Sequence, residues 1–261
     1  MAGFDAVFFD IDGTLVPFGA TGMPQSTVAV LDALRARGVK VIVNSGRPPM
    51  LINNLGGYPF DGFVCMNGGL LILEGKVVWK KPIDREDALA VIRISEELGV
   101  SCVAFTEDSL MLNFHSENEI RLAKAINIEF TRIGDIRELL RGGGEICQFT
   151  VYADESLEKH FLPPATRHIC CPRWSPEFMD IDPDSTSKAD GIRRMAGILG
   201  IDASRTMAFG DGGNDISMLK AAGVGVAMGN ASDDVKSHAA YVTTSASEDG
   251  IANALKHFGL V

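Results

Sequence analysis

The chain has 261 residues, enough for one large domain or two modest ones. With 46% hydrophobic and 22% charged residues it can build a sizeable core, and its formal net charge of −10 argues against nucleic acid as a partner, since phosphate neutralisation needs clustered Lys and Arg. No apolar run approaches the roughly 18 residues needed to span a bilayer, which argues against a membrane protein.

The opening MAGFDAVFFD has no basic n-region and meets an acid at Asp5, so no signal peptide is predicted and a cytoplasmic location is expected. Five cysteines without CxxC spacing predict neither a disulfide framework nor a zinc site. The neighbours Cys170 and Cys171 read as two buried or half-buried thiols, with a redox pair as the alternative.

In chain order, an apolar strand over 6–9 runs into Asp10-Ile11-Asp12-Gly13-Thr14. A helix is predicted over 26–37, with Val28, Leu31 and Leu34 at helical spacing and Gly38 as its stop. A buried-type strand over 39–43 leads into Asn44-Ser45-Gly46-Arg47. A short helix over 48–55 and a third strand over 62–66 follow, an order that predicts a parallel sheet with helices on both faces. From 82 to 182 the texture changes. A helix starts at the potential cap Asp84 and closes at Gly99, then strands are predicted over 100–105 and 110–114 as a hairpin. A helix over 117–125, a glycine loop at 142–144, a strand over 146–152, helical residues 156–161 and strands over 167–171 and 178–181 complete a small α+β domain. The first texture then returns. It has a helix over 188–199, a strand over 206–209 running into Gly210-Asp211-Gly212-Gly213-Asn214-Asp215, a helix to 222, a strand over 224–228 and a last helix near 251–258. The expected architecture is a Rossmann-like α/β core of 1–81 and 183–261 with an α+β insert of 82–182.

Four polar clusters follow strands or open helices of that core: Asp10 with Asp12, Ser45-Gly46-Arg47, Lys188, and Asp211 with Asn214 and Asp215. In a parallel sheet the strands' carboxyl ends share one edge, where ligands bind, so these clusters are expected to converge. Two acids at the mouth of a buried strand are tolerable if a divalent cation shares the site. Every candidate ligand is a hard oxygen donor without His or Cys, which points to Mg²⁺ held by Asp10 and Asp211, with Asp215 direct or through water. Ser45 and Lys188 suit phosphoryl oxygens, and Gly13 and Gly46 allow close backbone approach.

DIDGTL, NSGR, the helix-opening Lys188 and GDGGND resemble the four motifs of the haloacid dehalogenase superfamily. The insert, between the second and third motifs, is similar to the type IIB cap of its Cof-type sugar-phosphate phosphatases. The resemblance implies Asp10 as a nucleophile forming an aspartyl-phosphate, and Asp12 as general acid and base with its backbone carbonyl on the metal. It implies Ser45 and Lys188 as phosphate ligands, Asp211 and Asp215 as metal-binding acids, and Asn214 as support for the phosphate or for Lys188. Arg47 is read as either a substrate contact or a surface ion pair, and Asn67 as a hairpin turn in preference to a substrate contact. In the insert His115, Arg173 and Trp174 are candidates for substrate contact, with a surface or core role favoured for each.

The expected activity is Mg²⁺-dependent hydrolysis of small phosphorylated metabolites, sugar phosphates first among them, by a monomer or homodimer. A hexose phosphomutase is the alternative, disfavoured because Arg121, Arg132, Arg137, Arg141, Arg167 and Arg173 form no recognisable anion cluster. A non-catalytic metabolite binder on the same fold is the other, and the full set of acids speaks against it.

Overall fold

The computed structural model describes residues 3–125, 128–173 and 175–261. In chain order the first elements are β1 (Ala6–Phe9), α1 (Gln25–Ala36), β2 (Lys40–Asn44), β3 (Gly62–Cys65), β4 (Leu70–Leu73) and β5 (Lys76–Lys80). Next come α2 (Arg85–Leu98), β6 (Cys102–Phe105), β7 (Leu110–Leu112), α3 (Glu117–Ala125), β8 (Gln148–Val151), the single turn α4 (Glu155–Glu158), β9 (Ile169–Cys170) and β10 (Met179–Pro183). The chain closes with α5 (Lys188–Leu199), β11 (Thr206–Gly210), α6 (Ile216–Ala221), β12 (Val224–Ala227), α7 (Asp233–Ser237), β13 (Tyr241–Val242) and α8 (Gly250–His257). Among the described residues no helix is long and apolar enough to cross a membrane.

The chain forms two compact units, one of Met1–Arg47, Ile52–Trp79 and Ser187–Val261, the other of Pro48–Leu51 and Lys80–Thr186. The first holds an eight-stranded sheet in the order β13-β12-β11-β1-β2-β3-β4-β5. From β13 to β3 every neighbouring pair is parallel. Each β1 residue is fully buried, as a parallel strand covered on both faces requires. Strand alternation sends Val7 and Phe9 into one apolar layer with Leu31 and Leu34 of α1 and Ile251 and Leu255 of α8. Ala6 and Phe8 enter the other, with Ile192 and Met195 of α5. The chain runs β1 to β3 in one direction and returns at β11 on the far side of β1, so the topological switch lies between β1 and β11.

One local expectation fails, and one pair of strands was not anticipated. Only Pro49–Leu51 is helical in the 48–55 stretch, and then as a 3₁₀ turn. The stretch runs into Gly56 and Gly57, both at positive φ, which leaves no length over which an α-helix could propagate. The sheet also continues past β3 through β4, which is antiparallel to it, and β5. The two-residue turn at Glu74 and Gly75 has φ of 50° and 75°, the primed-turn geometry of a hairpin.

The second unit has a five-stranded sheet in the order β7-β6-β8-β10-β9. Cys102, Ala104, Phe149, Val151, Met179 and Ile181 point to one face and pack with Val91 of α2 and with Leu139 and Leu140 of a 3₁₀ stretch, Ile136–Gly143. That stretch replaces part of the expected glycine loop and breaks at Arg141 and Gly142, where Gly142 takes φ +66°. The expected helix over 156–161 is the single turn α4. All five cysteines are free, and burial raises the Cys170 and Cys171 thiols to about 12, far from the thiolate a redox pair needs.

Candidate active site

The site lies in the first unit, where strands β1, β2 and β11 end. Phe9 pairs with Phe209 across β1 and β11, and the Asp10 N–H donates to Phe209 O at 3.0 Å. Asp10 therefore leaves β1 beside the start of the 210–215 loop, at the switch point. On its other side Phe9 pairs with Val43, which sets Asn44 and Ser45 at the mouth of β2.

Lys188 joins the clusters. Ser187 caps α5, its hydroxyl accepting from the Asp190 N–H at 3.2 Å, so Lys188 is the first helical residue. Its side chain is 1% exposed. Its Nζ donates to Asp10 Oδ1 at 2.6 Å and to Asp215 Oδ1. A cation at a helix N-terminus faces the positive end of the macrodipole and loses hydration, so two carboxylates are needed to hold it. Burial pushes the ammonium pKa down, and the two carboxylates outweigh burial and leave it above its ordinary value. The buried Asn44 donates from Nδ2 to Lys188 O at 3.0 Å, which moors the start of α5 to the end of β2.

Asp215 is fully buried, and its Oδ2 accepts the N–H groups of Asp211 and Gly212 at 2.9 and 2.8 Å. It thus shapes the loop that carries Asp211. Asp211 is oriented from both sides. Thr14 Oγ1 donates to its Oδ1 at 2.8 Å, and Asn230 Nδ2 to its Oδ2 at 3.1 Å. Gly13 takes φ +84°, and a Cβ there would stand 2.2 Å from Asp211 Oδ2, so no side chain fits between the first and last clusters.

Asp12 meets Arg47. Nε reaches Asp12 Oδ2 at 2.6 Å and Nη2 reaches Oδ1 at 2.7 Å, a fork-on-carboxylate pair. Ser45 is buried, its N–H donates to Val64 O at 2.9 Å, and its hydroxyl oxygen accepts the Arg47 N–H at 3.2 Å, which leaves the O–H proton to donate elsewhere. Gly46 lies beside Asn67, whose Oδ1 would be 3.0 Å from a Cβ at that position. Asn214 Nδ2 donates to Asn67 Oδ1 at 3.1 Å, where the sequence pointed it at the phosphate or Lys188. Asn67 occupies the one-turn link between β3 and β4 with φ +48°, the tight turn expected of Asn-Gly.

Four carboxylates therefore face two cations. Burial raises the Asp10 carboxyl well above its usual value, opposed by Lys188 and reinforced by Asp215, Asp211 and Asp12. Burial and the Asp215 charge raise Asp211 to about 7. A divalent cation would reverse both shifts. Asp10, Asp211 and Asp215 each offer a carboxylate oxygen, all within 4.8 Å of one another, a hard-oxygen set that fits Mg²⁺.

Thr14 and Asn230 were missed by sequence reading. Asn230 lies just beyond β12, after Met228 and Gly229, and polar residues shortly past strand ends are the signal that would have found it. In the second unit Arg173 is bound to Glu158 at 2.8 Å and to the carbonyls of Ala153 and Phe178, both at 3.0 Å, which makes it an internal brace. His115 Nδ1 pairs with Glu119 at 2.9 Å. Trp174 lies outside the described residues.

A family model described as haloacid dehalogenase-like hydrolase matches residues 7–255. The Bacillus subtilis protein YkrA, named as a phosphatase, is 32% identical over 98% of this chain and 98% of its own. The solved structure of the subclass IIB sugar phosphatase BT4131 has 37% identity and a TM-score of 0.91, covering 98% of this chain and 99% of that one. Phosphatase BT1666 from Bacteroides thetaiotaomicron has 33% identity and a TM-score of 0.90, covering 99% and 96%.

Proposed function

The chain belongs to the haloacid dehalogenase-like hydrolases and is a phosphatase of the Cof type, and we propose that it hydrolyses phosphate monoesters of small metabolites, sugar phosphates foremost, through an aspartyl-phosphate on Asp10. The observation that carries this reading is the buried Lys188 bridging Asp10 and Asp215 among four converging carboxylates. The sugar-phosphate class rests on the subclass IIB sugar phosphatase to which the chain is similar.

In this reading Oδ1 of Asp10 is held by Lys188 and Oδ2 attacks phosphorus as the bond to the leaving oxygen breaks. Asp12 gives its proton to that oxygen. It then takes a proton from the water whose oxygen attacks phosphorus and releases the Asp10 carboxylate. Ser45, Gly46 and Lys188 hold the phosphoryl oxygens. Asp10, Asp211 and the Asp12 carbonyl would hold Mg²⁺, with Asp215 as a further ligand, direct or through water. The ion would supply charge stabilisation at the phosphoryl oxygens. The inserted unit carries none of these acids and is assigned the choice of substrate.

A screen of phosphorylated metabolites with Mg²⁺, reading phosphate release, tests the activity. Release should fall by about 100-fold in EDTA, in line with the several kcal/mol a metal supplies to charge development. Ca²⁺ should not restore it, because its longer bonds and higher coordination number disturb the Asp10 carboxylate. Full activity in EDTA, or equal turnover with Ca²⁺, would sink the metal assignment.

Asn230→Ala removes one of the two groups orienting Asp211. Mg²⁺ affinity, read by titration calorimetry without substrate, is expected to weaken by about 10-fold, the lower end for lost outer-sphere partners. Unchanged affinity would mean that Asp211 does not bind the ion or that Thr14 alone aligns it.

A further inference from the structure

The sequence left Arg47 between a substrate contact and a surface ion pair, and the structure shows an ion pair that lies within the site instead of on the surface. The Arg47 side chain is 9% exposed. Nε and Nη2 meet the two oxygens of Asp12 at 2.6 and 2.7 Å. A planar fork on a planar carboxylate fixes both torsions of the Asp12 side chain, which a point charge such as Lys cannot do. Asp12 is itself 24% exposed, and among the described residues the fork supplies the hydrogen bonds to its carboxylate. The Arg47 backbone is anchored in turn. Its N–H donates to Ser45 Oγ at 3.2 Å, and its carbonyl accepts from the Met66 N–H at 3.2 Å. The guanidinium is thereby tied to the mouths of β2 and β3, while the carboxylate it holds belongs to the loop after β1.

We propose that Arg47 is a positioning residue that aims the Asp12 carboxyl at the leaving oxygen in the first step and at the attacking water in the second. This inference rests on the reading of Asp12 as the group that gives and takes the proton. In the first step the phosphorus–oxygen bond of the ester breaks, Asp10 gains the phosphoryl group, and the Asp12 proton goes to the departing oxygen. In the second step water supplies the oxygen that displaces Asp10, and its proton goes to Asp12. A misaimed Asp12 harms the first step only when the departing oxygen needs a proton, whereas it always harms the second.

Two aryl esters of similar size separate the possibilities: p-nitrophenyl phosphate, whose leaving group departs as the anion, and phenyl phosphate, whose leaving group needs protonation. For Arg47→Ala in Mg²⁺, kcat/KM on phenyl phosphate is expected to fall by about 100-fold, the lower bound for losing general acid–base help, and on p-nitrophenyl phosphate by less than about 10-fold. Rapid mixing with p-nitrophenyl phosphate should show a burst of nitrophenolate close to one per enzyme, because hydrolysis of the aspartyl-phosphate becomes limiting. Arg47→Lys keeps the charge, guards against a folding defect, and should show the same split between esters. Asp12→Asn combined with Arg47→Ala should be no slower than Asp12→Asn alone, since both act through one carboxyl. Equal losses on both esters with a raised KM and no burst would make Arg47 a phosphate ligand and overturn the proposal. Unchanged or faster turnover of phenyl phosphate would overturn it too, by making the pair a restraint on the reaction. If Asp12→Asn itself shows no difference between the esters, the acid–base reading of Asp12 has failed, and Arg47 has lost its role with it.

Discussion

Asp10→Asn is expected to abolish phosphate release, by roughly 10⁴-fold or more, the scale of losing a covalent nucleophile, without harm to the fold. The amide keeps the shape of the carboxylate but cannot attack phosphorus. Its effect on stability follows from the charge balance of the site. Burial raises the Asp10 carboxyl well above its usual value, and Asp215, Asp211 and Asp12 add to that while Lys188 opposes it. An acid whose folded pKa is raised contributes stability below its unfolded value and loses it as pH climbs through the folded value. Without metal a charge on Asp10 is therefore a burden to the fold, and in EDTA its neutral isostere should unfold at the same temperature as the wild type or higher. Lys188 keeps Asp215 as a partner in the variant. Mg²⁺ should raise the melting temperature of the variant less than that of the wild type, since one ligand charge is gone. Retention of more than a few per cent of wild-type kcat on the best substrate would falsify the covalent mechanism.

Lys188→Met should damage both chemistry and stability. The ammonium is buried between Asp10 and Asp215, and removing one partner of a buried ionic group typically costs about 3 kcal/mol or more because the other charges stay behind unpaired. The loss should depend on pH and metal. Without Lys188 the three neighbouring acids relieve their repulsion by binding protons, so metal-free Lys188→Met should be closest to wild type near pH 5 and furthest from it near pH 8. Asp211 already titrates near 7 with the lysine present, and without it the charged form is more costly still. Mg²⁺ should return part of the lost stability by supplying the missing positive charge. Phosphate release should fall by about 1,000-fold, as when one preorganised charge on the reacting group is removed. Denaturant unfolding in EDTA at the two pH values is the measurement. Equal stability of variant and wild type at pH 8 would mean that the cluster does not depend on its central cation.

Much of the fold was legible because it is written in local patterns. The all-apolar 6–9 run, the helix stops at Gly38, Gly99 and Gly200, and the return of the β-α texture after the insert each follow from backbone and burial preferences of neighbouring residues. The hairpin of β4 and β5 was not read, because β5 is largely exposed and so lacks a buried apolar run. Its signal was the two-residue turn at Glu74 and Gly75, weaker than Asn-Gly because glutamate resists positive φ.

The chain's own order of residues settled which groups sit at strand ends: Asp10 and Asp12, Ser45, Asp211 and Asp215 each follow an apolar run into a turn. Partner choice was decided only in three dimensions. Lys188 pairs with Asp10 across 178 positions, Thr14 with Asp211 across 197, and Arg47 turns its fork to Asp12 across 35. Strand ends become neighbours through the order and register of the sheet, which are nonlocal. A side chain's periodicity along its own strand tells which face or end it occupies, and nothing about which other strand will lie beside it.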